Sequence, residues 1–292
     1  KAATVYANNE AASYFQSALK LLEEKEGKLE EKAHVLERLG DIKSFVGEYD
    51  ACVKYWNEAS LLWKQLDEKA KVSRLHRKMA NVLWAEIGDT EKAKEHHEKA
   101  LKILETEPES VELASVYNDV ANMMLFHIGN MAKALSYAEK ALELAEKLND
   151  FEVAANSYAS LGGVSSYTGD NKKAIECLEK ALKISLDNGF MKTALRAYND
   201  LAAVLPSEES ERRLEFYEKG LELAKKVGYI SFQSGIGTNL VGSYLNMGDV
   251  NKAVLLAEES VALGKKAGLM TLLPMSISAV SYTHLRAHET VL

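Results

Sequence analysis

The segment Gly88-Asp89-Thr90-Glu91-Lys92-Ala93, followed by Ala100-Leu101, contains the pattern that decides the fold. A Gly is followed five positions later by a small residue, and a second small residue comes seven positions after the first. The same spacing recurs at four other glycines, namely Gly47 (Cys52, Ala59), Gly129 (Ala134, Ala141), Gly169 (Ala174, Ala181) and Gly248 (Ala253, Ser260). A period of about 40 residues, repeated this often, predicts a repeat protein.

Each repeat is predicted to be a pair of helices, A and B, joined by a tight turn. Two small residues seven positions apart lie on one face of a helix, where they allow another helix to approach closely. Gly supplies the left-handed backbone that ends helix A, and the next residue caps helix B, as at Asp89, Asn130, Asp170 and Asp249. Because one pair cannot bury its apolar face alone, neighbouring pairs must stack.

The small residues form two series in one register. The first slot holds Ala11, Cys52, Ala93, Ala134, Ala174, Arg213 and Ala253, and the second holds Ala18, Ala59, Ala100, Ala141, Ala181, Gly220 and Ser260. A further landmark stands seven positions before each turn glycine, at Leu39-Gly40, Ala80-Asn81, Ala121-Asn122, Leu161-Gly162 and Leu240-Val241. The shared register indicates that the same packing recurs from repeat to repeat.

These residues resemble the tetratricopeptide repeat, with Leu-Gly in helix A, Gly-Asp or Gly-Asn at the turn, and alanines at the two small slots. Aromatic residues four positions after the first slot agree with that family, at Phe15, Trp56 and Tyr217. A repeat of about 40 residues is similar to the long-helix subclass of kinesin light chain, LGN/Pins-type adaptors and the sensor arrays of regulatory ATPases. The resemblance implies an all-α fold, a right-handed α-solenoid superhelix of antiparallel helix pairs.

We expect the array to occupy residues 1–280, with incomplete repeats at both ends. A lone helix B at about 7–26 is followed by six pairs. Two lie at about 29–67 and 69–107, the third opens with a loop at 105–109 and runs to about 148, and the others lie at about 150–188, 190–227 and 229–268. Residues 281–292 leave the register and look like translated library adapter, so we predict a non-native tail whose deletion leaves the melting temperature unchanged. We also expect the array to be part of a longer protein.

Repeat five departs from the pattern. Its turn is two residues shorter than that of repeat three, and Pro206-Ser207-Glu208 replaces the turn glycine. Proline disfavours helical backbone at the residue before it, so Pro206 is predicted to end helix A early. Ser207 is predicted to cap helix B.

Composition limits the classes of partner and the compartment. With 43 acidic and 36 basic residues the net charge is −7, which argues against nucleic acid or an anionic membrane as the main partner. No apolar run approaches the ~20 residues that span a bilayer. Cys52 and Cys177 lie three repeats apart, too far for a disulfide, which favours a reducing compartment and a cytoplasmic protein.

No catalytic, cofactor or metal site is predicted. His284 and His288 have ligand spacing without a third ligand, and His97 occupies the aromatic slot, where core packing is expected. No phosphate loop, dinucleotide fingerprint or serine elbow occurs. We therefore expect a protein- or peptide-binding scaffold or sensor module of a signalling or regulatory protein, not an enzyme. The alternative is a helical enzyme domain with an internal cavity, which would need acids or ligands clustered on inward faces.

The resemblance also implies where a peptide would bind. The family's inward stripe of helix A maps here onto a peptide groove of His34, Arg38, Arg74, Lys78, Asp119, Met123 and Phe126. Cations beside apolar residues suit a peptide with an acidic end and apolar anchors. Alternatively, Arg74 and Lys78 only solubilise this surface or pair with neighbouring acids. Val82 stands where chaperone-binding relatives carry the Asn of their carboxylate clamp, so chaperone tails are not the expected ligands.

Overall fold

The computed structural model describes residues 2–23, 25 and 27–267, and the regular structure of these residues is entirely helical. It contains thirteen α-helices, α1 to α13 in chain order: Ala2–Glu23, Leu29–Val46, Tyr49–Gln65, Lys69–Val82, Thr90–Leu104, Val111–Met123, Met131–Lys147, Phe151–Tyr167, Asn171–Asn188, Met191–Val204, Ser210–Val227, Ile230–Asn246 and Val250–Ala267. The predicted all-α fold is confirmed, and α1 is followed by six helix pairs. The predicted tail, 281–292, lies outside the described residues.

The helices form two compact units that divide between Val153 and Ala154. In the first unit, α2 packs against α3, α4 against α5 and α6 against α7, and successive pairs contact each other through α3 with α4 and α5 with α6. In the second unit, α9 packs against α10, α11 against α12 and α12 against α13. Each unit therefore stacks helix pairs in chain order.

The turns have the predicted chemistry. All five turn glycines adopt left-handed backbone, with φ between 69° at Gly129 and 85° at Gly47. Asp89, Asn130 and Asp170 each accept a hydrogen bond at 3.1 Å from the backbone amide three residues later, and Asp249 accepts one at 3.2 Å. Each turn therefore ends helix A and begins helix B, as the spacing predicts.

The small slots lie in the core. Fully buried side chains occupy the first slot at Cys52, Ala93, Ala134, Ala174 and Ala253 and the second slot at Ala59, Ala100, Ala141 and Ala181. The glycines of helix A are equally constrained, because a Cβ on Gly40 would lie 2.3 Å from the ring of Trp56. A Cβ on Gly162 would lie 2.6 Å from Cγ of Leu178. Close approach of helices A and B therefore explains the small residues.

In repeat five, one of the two predictions is confirmed and the other is wrong. Helix α10 ends at Val204, as Pro206 predicts, but a 3₁₀ turn at Ser207–Glu209 precedes α11. Ser207 therefore does not cap helix B: its hydroxyl donates to the Glu208 carboxylate at 3.3 Å, and α11 starts without a side-chain cap. Arg213, which replaces the small residue of the first slot, donates from Nε to the Ala202 carbonyl at 3.1 Å.

Two A helices end differently from the others. Leu83–Ile87 continues α4 and Met124–Ile128 continues α6, and both segments are π-helical. They leave the side chains of Ile87, Phe126 and Ile128 exposed. π-helical turns are rare and often occur at functional sites. The periodicity of the sequence contains no sign of them.

Candidate peptide-binding surface

A cleft of about 460 Å³ lies between α2 and α4. Its lining side chains are His34, Glu37, Arg38, Asp41, Lys71, Arg74 and Lys78. The structure thus brings together four residues of the predicted groove, His34, Arg38, Arg74 and Lys78. We call this the α2–α4 cleft.

Two cations of the α2–α4 cleft are held by carboxylates that the sequence analysis did not include. Arg74 donates from Nη2 to both carboxylate oxygens of Glu37, at 2.9 and 3.1 Å. Lys78 donates to Glu37 at 3.2 Å and to Asp41 at 2.8 Å. The Glu37 side chain is only 9% exposed, and a carboxylate so buried needs such partners. Pairing with neighbouring acids, our alternative for Arg74 and Lys78, is therefore present.

The remaining permanent cations of the cleft are Arg38 and Lys71. Arg38 is 69% exposed, and its Nη1 lies 3.8 Å from the nearest oxygen of Asp41. Lys71 places Nζ 3.8 Å from the ring centroid of Trp63, and the His34 ring packs edge-on against the same indole. The lining itself contains four permanent cations and two carboxylates, so it has a surplus of positive charge. Lys71 is also 3.4 Å from Glu68 and 4.0 Å from Glu30, two acids outside the lining that partly offset this surplus.

Helix α4 makes a second set of ion pairs, with α6. Arg77 donates from Nε to Glu112 at 2.7 Å and from Nη1 to Asp119 at 3.1 Å. Asn81 also donates to Asp119, at 2.8 Å. Asp119, a predicted groove residue, is therefore engaged by α4. Sequence reasoning missed Arg77, although it lies three residues from Arg74 in the same basic run.

The structure does not place the predicted apolar anchors in the cleft. Met123 is 1% exposed and packs in the core cluster that contains Met79 and Ala93, so it cannot contact a peptide; including it in the groove was wrong. Phe126 is 46% exposed but lies in the π-helical end of α6 and does not line the α2–α4 cleft. The regular stripe that predicted both residues does not account for the π-helical segment that begins after Met123.

Among the described residues, no group of three or more His, Cys, Asp or Glu side chains is placed to hold a metal ion. Cys52 and Cys177 are free thiols and buried. Burial raises the pKa of the Cys52 thiol to about 12, so it is protonated at neutral pH. None of the described helices has the length and apolar character needed to cross a membrane.

Several solved structures share this fold. The chain is similar to BtubC (BKLC) from P. vanneervenii, with a TM-score of 0.59, 18% identity, and coverage of 77% of this chain and 91% of that chain. A Rap protein complexed with competence and sporulation factor has a TM-score of 0.63 and 15% identity, with coverage of 96% of this chain and 86% of that chain. A signal transduction ATPase with a tetratricopeptide repeat sensor from Pyrococcus horikoshii has a TM-score of 0.62 and 16% identity, with coverage of 94% of this chain and 43% of that chain. At these identities the likeness concerns the fold alone.

No curated protein sequence matches the chain. The sequence model of the tetratricopeptide repeat matches residues 31–106 and 112–187, together more than half of the chain. These segments contain four of the five turn glycines, three of the four capping residues and most of the buried small slots described above. The chain belongs to the tetratricopeptide-repeat family.

Proposed function

We propose that this chain is a protein-binding scaffold whose α2–α4 cleft holds an acidic peptide segment. Tetratricopeptide repeats form protein-binding scaffolds, and this chain consists of such repeats over more than half of its length. The observation that carries the proposal is the surplus of positive charge in the cleft, in a protein with a net charge of −7. Such local positive charge attracts an acidic segment and orients it.

Two cations of the cleft, Arg74 and Lys78, are held by hydrogen bonds to carboxylates. Both hydrogen bonds from Arg74 to Glu37 start at Nη2, which leaves Nη1 to donate to a ligand carboxylate. Lys78 is held by Glu37 and Asp41. Side chains fixed in this way lose little conformational freedom on binding, which favours affinity.

The apolar part of such a peptide would contact the exposed side chains at the ends of α4 and α6. Ile87, Phe126 and Ile128 are each more than 40% exposed, although they are large and apolar. Large exposed apolar side chains are candidate contacts for a protein partner where they form a contiguous patch. Phe126 therefore remains our candidate anchor, outside the cleft itself.

We also propose that the chain works within a larger signalling or regulatory protein. Two of the similar structures support this context: a Rap protein complexed with competence and sporulation factor, and a signal transduction ATPase with a tetratricopeptide repeat sensor. The chain covers 43% of that ATPase, so an array of this kind can be one part of a much longer protein.

The test is to select a ligand from an array of short peptides that vary in acidic and apolar content, then to measure its affinity for variants. Arg38→Glu reverses an exposed cation without disturbing Glu37, whereas Arg74→Glu would leave two carboxylates together. We expect Arg38→Glu to weaken binding about tenfold at low salt and less at high salt. Phe126→Ala should weaken binding regardless of salt.

Lys172→Glu is the matched control, because it makes the same charge change at an exposed position on α9 in the second unit. It should leave the affinity within about twofold of the wild type. If the selected peptides carry no acidic bias, or if Arg38→Glu and Phe126→Ala bind as tightly as the control, the proposed site is wrong.

A further inference from the structure

We infer that a second cleft, formed by α3, α4 and α5, binds a phosphate ester. The cleft has a volume of about 540 Å³, which is within the range of small-molecule sites. It shares no lining residue with the α2–α4 cleft, so the inference does not rest on the proposed peptide site. Its lining includes four lysines, Lys64, Lys69, Lys99 and Lys102.

Three of these lysines have little or no compensation by carboxylates. Lys69 pairs with Glu107 at 2.6 Å, but the nearest carboxylate to Lys99 is that of Glu95, at 3.9 Å. Lys64 and Lys102 form no ion pair with any residue that the structure describes. The lining acids are Asp67 and Glu68, and Glu68 is also 3.4 Å from Lys71 outside the cleft. The cleft therefore has a net positive charge in an acidic protein.

A pair of histidines adjoins these lysines. Nδ1 of His76, which lines the cleft, lies 2.9 Å from Nδ1 of His96. At this distance one Nδ1 donates a hydrogen and the other accepts it, so the pair can gain one proton and keep the bond. His76 would then carry hydrogens on both nitrogens and donate Nδ1–H to His96.

The charges around the pair oppose that protonation when no ligand is bound. Burial, His96, Lys99 and Lys64 lower the pKa of His76 to about 4. Burial and Lys99 also lower the pKa of His96, against a smaller opposite effect of Glu95. A bound dianion would offset the lysine charges and favour the protonated pair, so ligand binding and proton uptake should be coupled.

The chemistry of the lining favours a phosphate ester over a carboxylate. Its cations are lysines, which act as point charges toward phosphate, whereas bidentate carboxylate recognition uses the planar guanidinium of arginine. Val72 and Ile103 supply an apolar surface for the organic part of the ester. The ester could be a small molecule or a phosphorylated side chain, and the chemistry recognised is the same.

The experiment is calorimetric titration with inorganic phosphate, phenyl phosphate and a phosphoserine tripeptide. We expect phenyl phosphate to bind more tightly than inorganic phosphate, because of Val72 and Ile103. Lys64→Glu plus Lys102→Glu should reduce its affinity at least about tenfold. Tighter binding of the tripeptide than of phenyl phosphate would identify a phosphorylated side chain as the source, and the reverse order a small ester.

Lys172→Glu plus Lys183→Glu is the matched control, with the same change in net charge at two exposed positions of α9. It should change the affinity for phenyl phosphate by no more than about twofold. Arg38→Glu should also leave this affinity unchanged, which separates the two clefts. Circular dichroism would establish that each variant is folded before its affinity is compared.

The Cε1 proton resonances of the histidines locate the bound ligand. With phenyl phosphate present, the resonances of His76 and His96 should shift and titrate at higher pH. At constant pH, phenyl phosphate should not move the chemical shift of the His34 resonance, since His34 lies in the other cleft. The inference is overturned if none of the three phosphates binds saturably, if both double variants lose affinity equally, or if His34 responds instead of His76.

Discussion

Neighbouring A helices are joined by ion pairs in the first unit, whereas in the second unit they are joined by hydrogen bonds between neutral side chains. In the first unit, Arg77 of α4 reaches Glu112 and Asp119 of α6, at 2.7 and 3.1 Å. In the second unit, Asn239 of α12 donates to Asn199 of α10 at 2.8 Å, and Thr193 donates to Asn156 at the same distance. One scaffold therefore stacks through two kinds of polar contact.

The second unit shows that stacking of these helix pairs does not require charge. Its A helices α10 and α12 line an apolar cleft of about 300 Å³ that includes Phe232 and Ile236 beside Asn199 and Asn239. Partly buried ion pairs often contribute little net stability compared with neutral replacements. The ion pairs of the first unit are therefore not a general requirement for stacking these helix pairs.

The unfolding of the first unit can be measured separately, because this unit contains all three tryptophans of the chain, Trp56, Trp63 and Trp84. Tryptophan fluorescence during denaturation therefore reports the first unit, while far-ultraviolet circular dichroism reports both. Effects of histidine titration can also be assigned to the first unit, since the described part of the second unit contains no histidine.

The largest expected effect is acid destabilisation of the first unit. Burial lowers the pKa of His97 to about 4, and its side chain is 1% exposed with neither ring nitrogen hydrogen-bonded. Because the pKa is lower in the folded state than the ordinary 6.5, stability is complete above pH 6.5 and is lost as the pH falls to about 4. His97 should contribute about 3 kcal/mol to this loss, and His76, whose pKa is also lowered to about 4, adds to it. Urea denaturation followed by fluorescence measures the total.

His97→Phe is the control for this pH effect, since Phe fits the aromatic slot that Trp56 and Tyr217 fill in other repeats. The variant should lose less stability than the wild type between pH 6.5 and 4.5. An equal loss in both proteins would show that His97 is not the responsible group.

The next effect separates the two kinds of contact between A helices. Arg77→Met leaves Glu112 and Asp119 without their cation and should lower the free energy of unfolding by about 2–3 kcal/mol, allowing for the partial exposure of Arg77. Asn239→Leu removes a neutral hydrogen bond and should cost about 1 kcal/mol. Salt should change the first cost and not the second. Similar costs with no salt dependence would contradict the distinction between the units.

Packing, in contrast, should be equivalent in the two units. Ala134→Leu in the first unit and Ala174→Leu in the second both introduce a large side chain at a fully buried slot. Each substitution should lower the free energy of unfolding by about 1–3 kcal/mol, because the A and B helices are too close to accommodate a leucine side chain. Thermal melts that are unchanged by either substitution would show that the slot is not packed as described.

The smallest effect concerns the caps. Asn130 in the first unit and Asp170 in the second each accept a backbone hydrogen bond at 3.1 Å. Replacing either residue by Ala should lower the free energy of unfolding by about 1 kcal/mol, because each replacement removes a helix cap. Denaturation curves would measure both, and a much larger cost in one unit would reveal a role for that residue beyond capping.

The features predicted correctly from the sequence are local or periodic. Gly88 and Asp89 lie side by side, and the geometry of a helix end decides their roles. The pair Ala93 and Ala100 lies on one helical face in any α-helix, so its burial follows once the repeats stack. The resemblance to the tetratricopeptide family rested on these residues, and the family model matches the same region.

The candidate sites were predicted less well, because they depend on which side chains meet across repeats. The sequence showed the cations Arg74 and Lys78 but not their partner Glu37, which lies 37 positions from Arg74. Met123 was assigned to the surface from a regular stripe, although it is buried beside a π-helical segment. The His76–His96 contact likewise joins two helices, and no sequence spacing indicates it.

The sequence by itself determined the helix pairs, the turns between them and the small residues on which they pack. These depend on backbone conformation and side-chain size at fixed short spacings, which any chain with this pattern must satisfy. The tertiary structure decided which charges neutralise each other and which line a cleft. Adding one residue to one turn of a helix rotates all the side chains that follow by about 100° around the helix axis. What each side chain then faces is determined only when the helices are assembled.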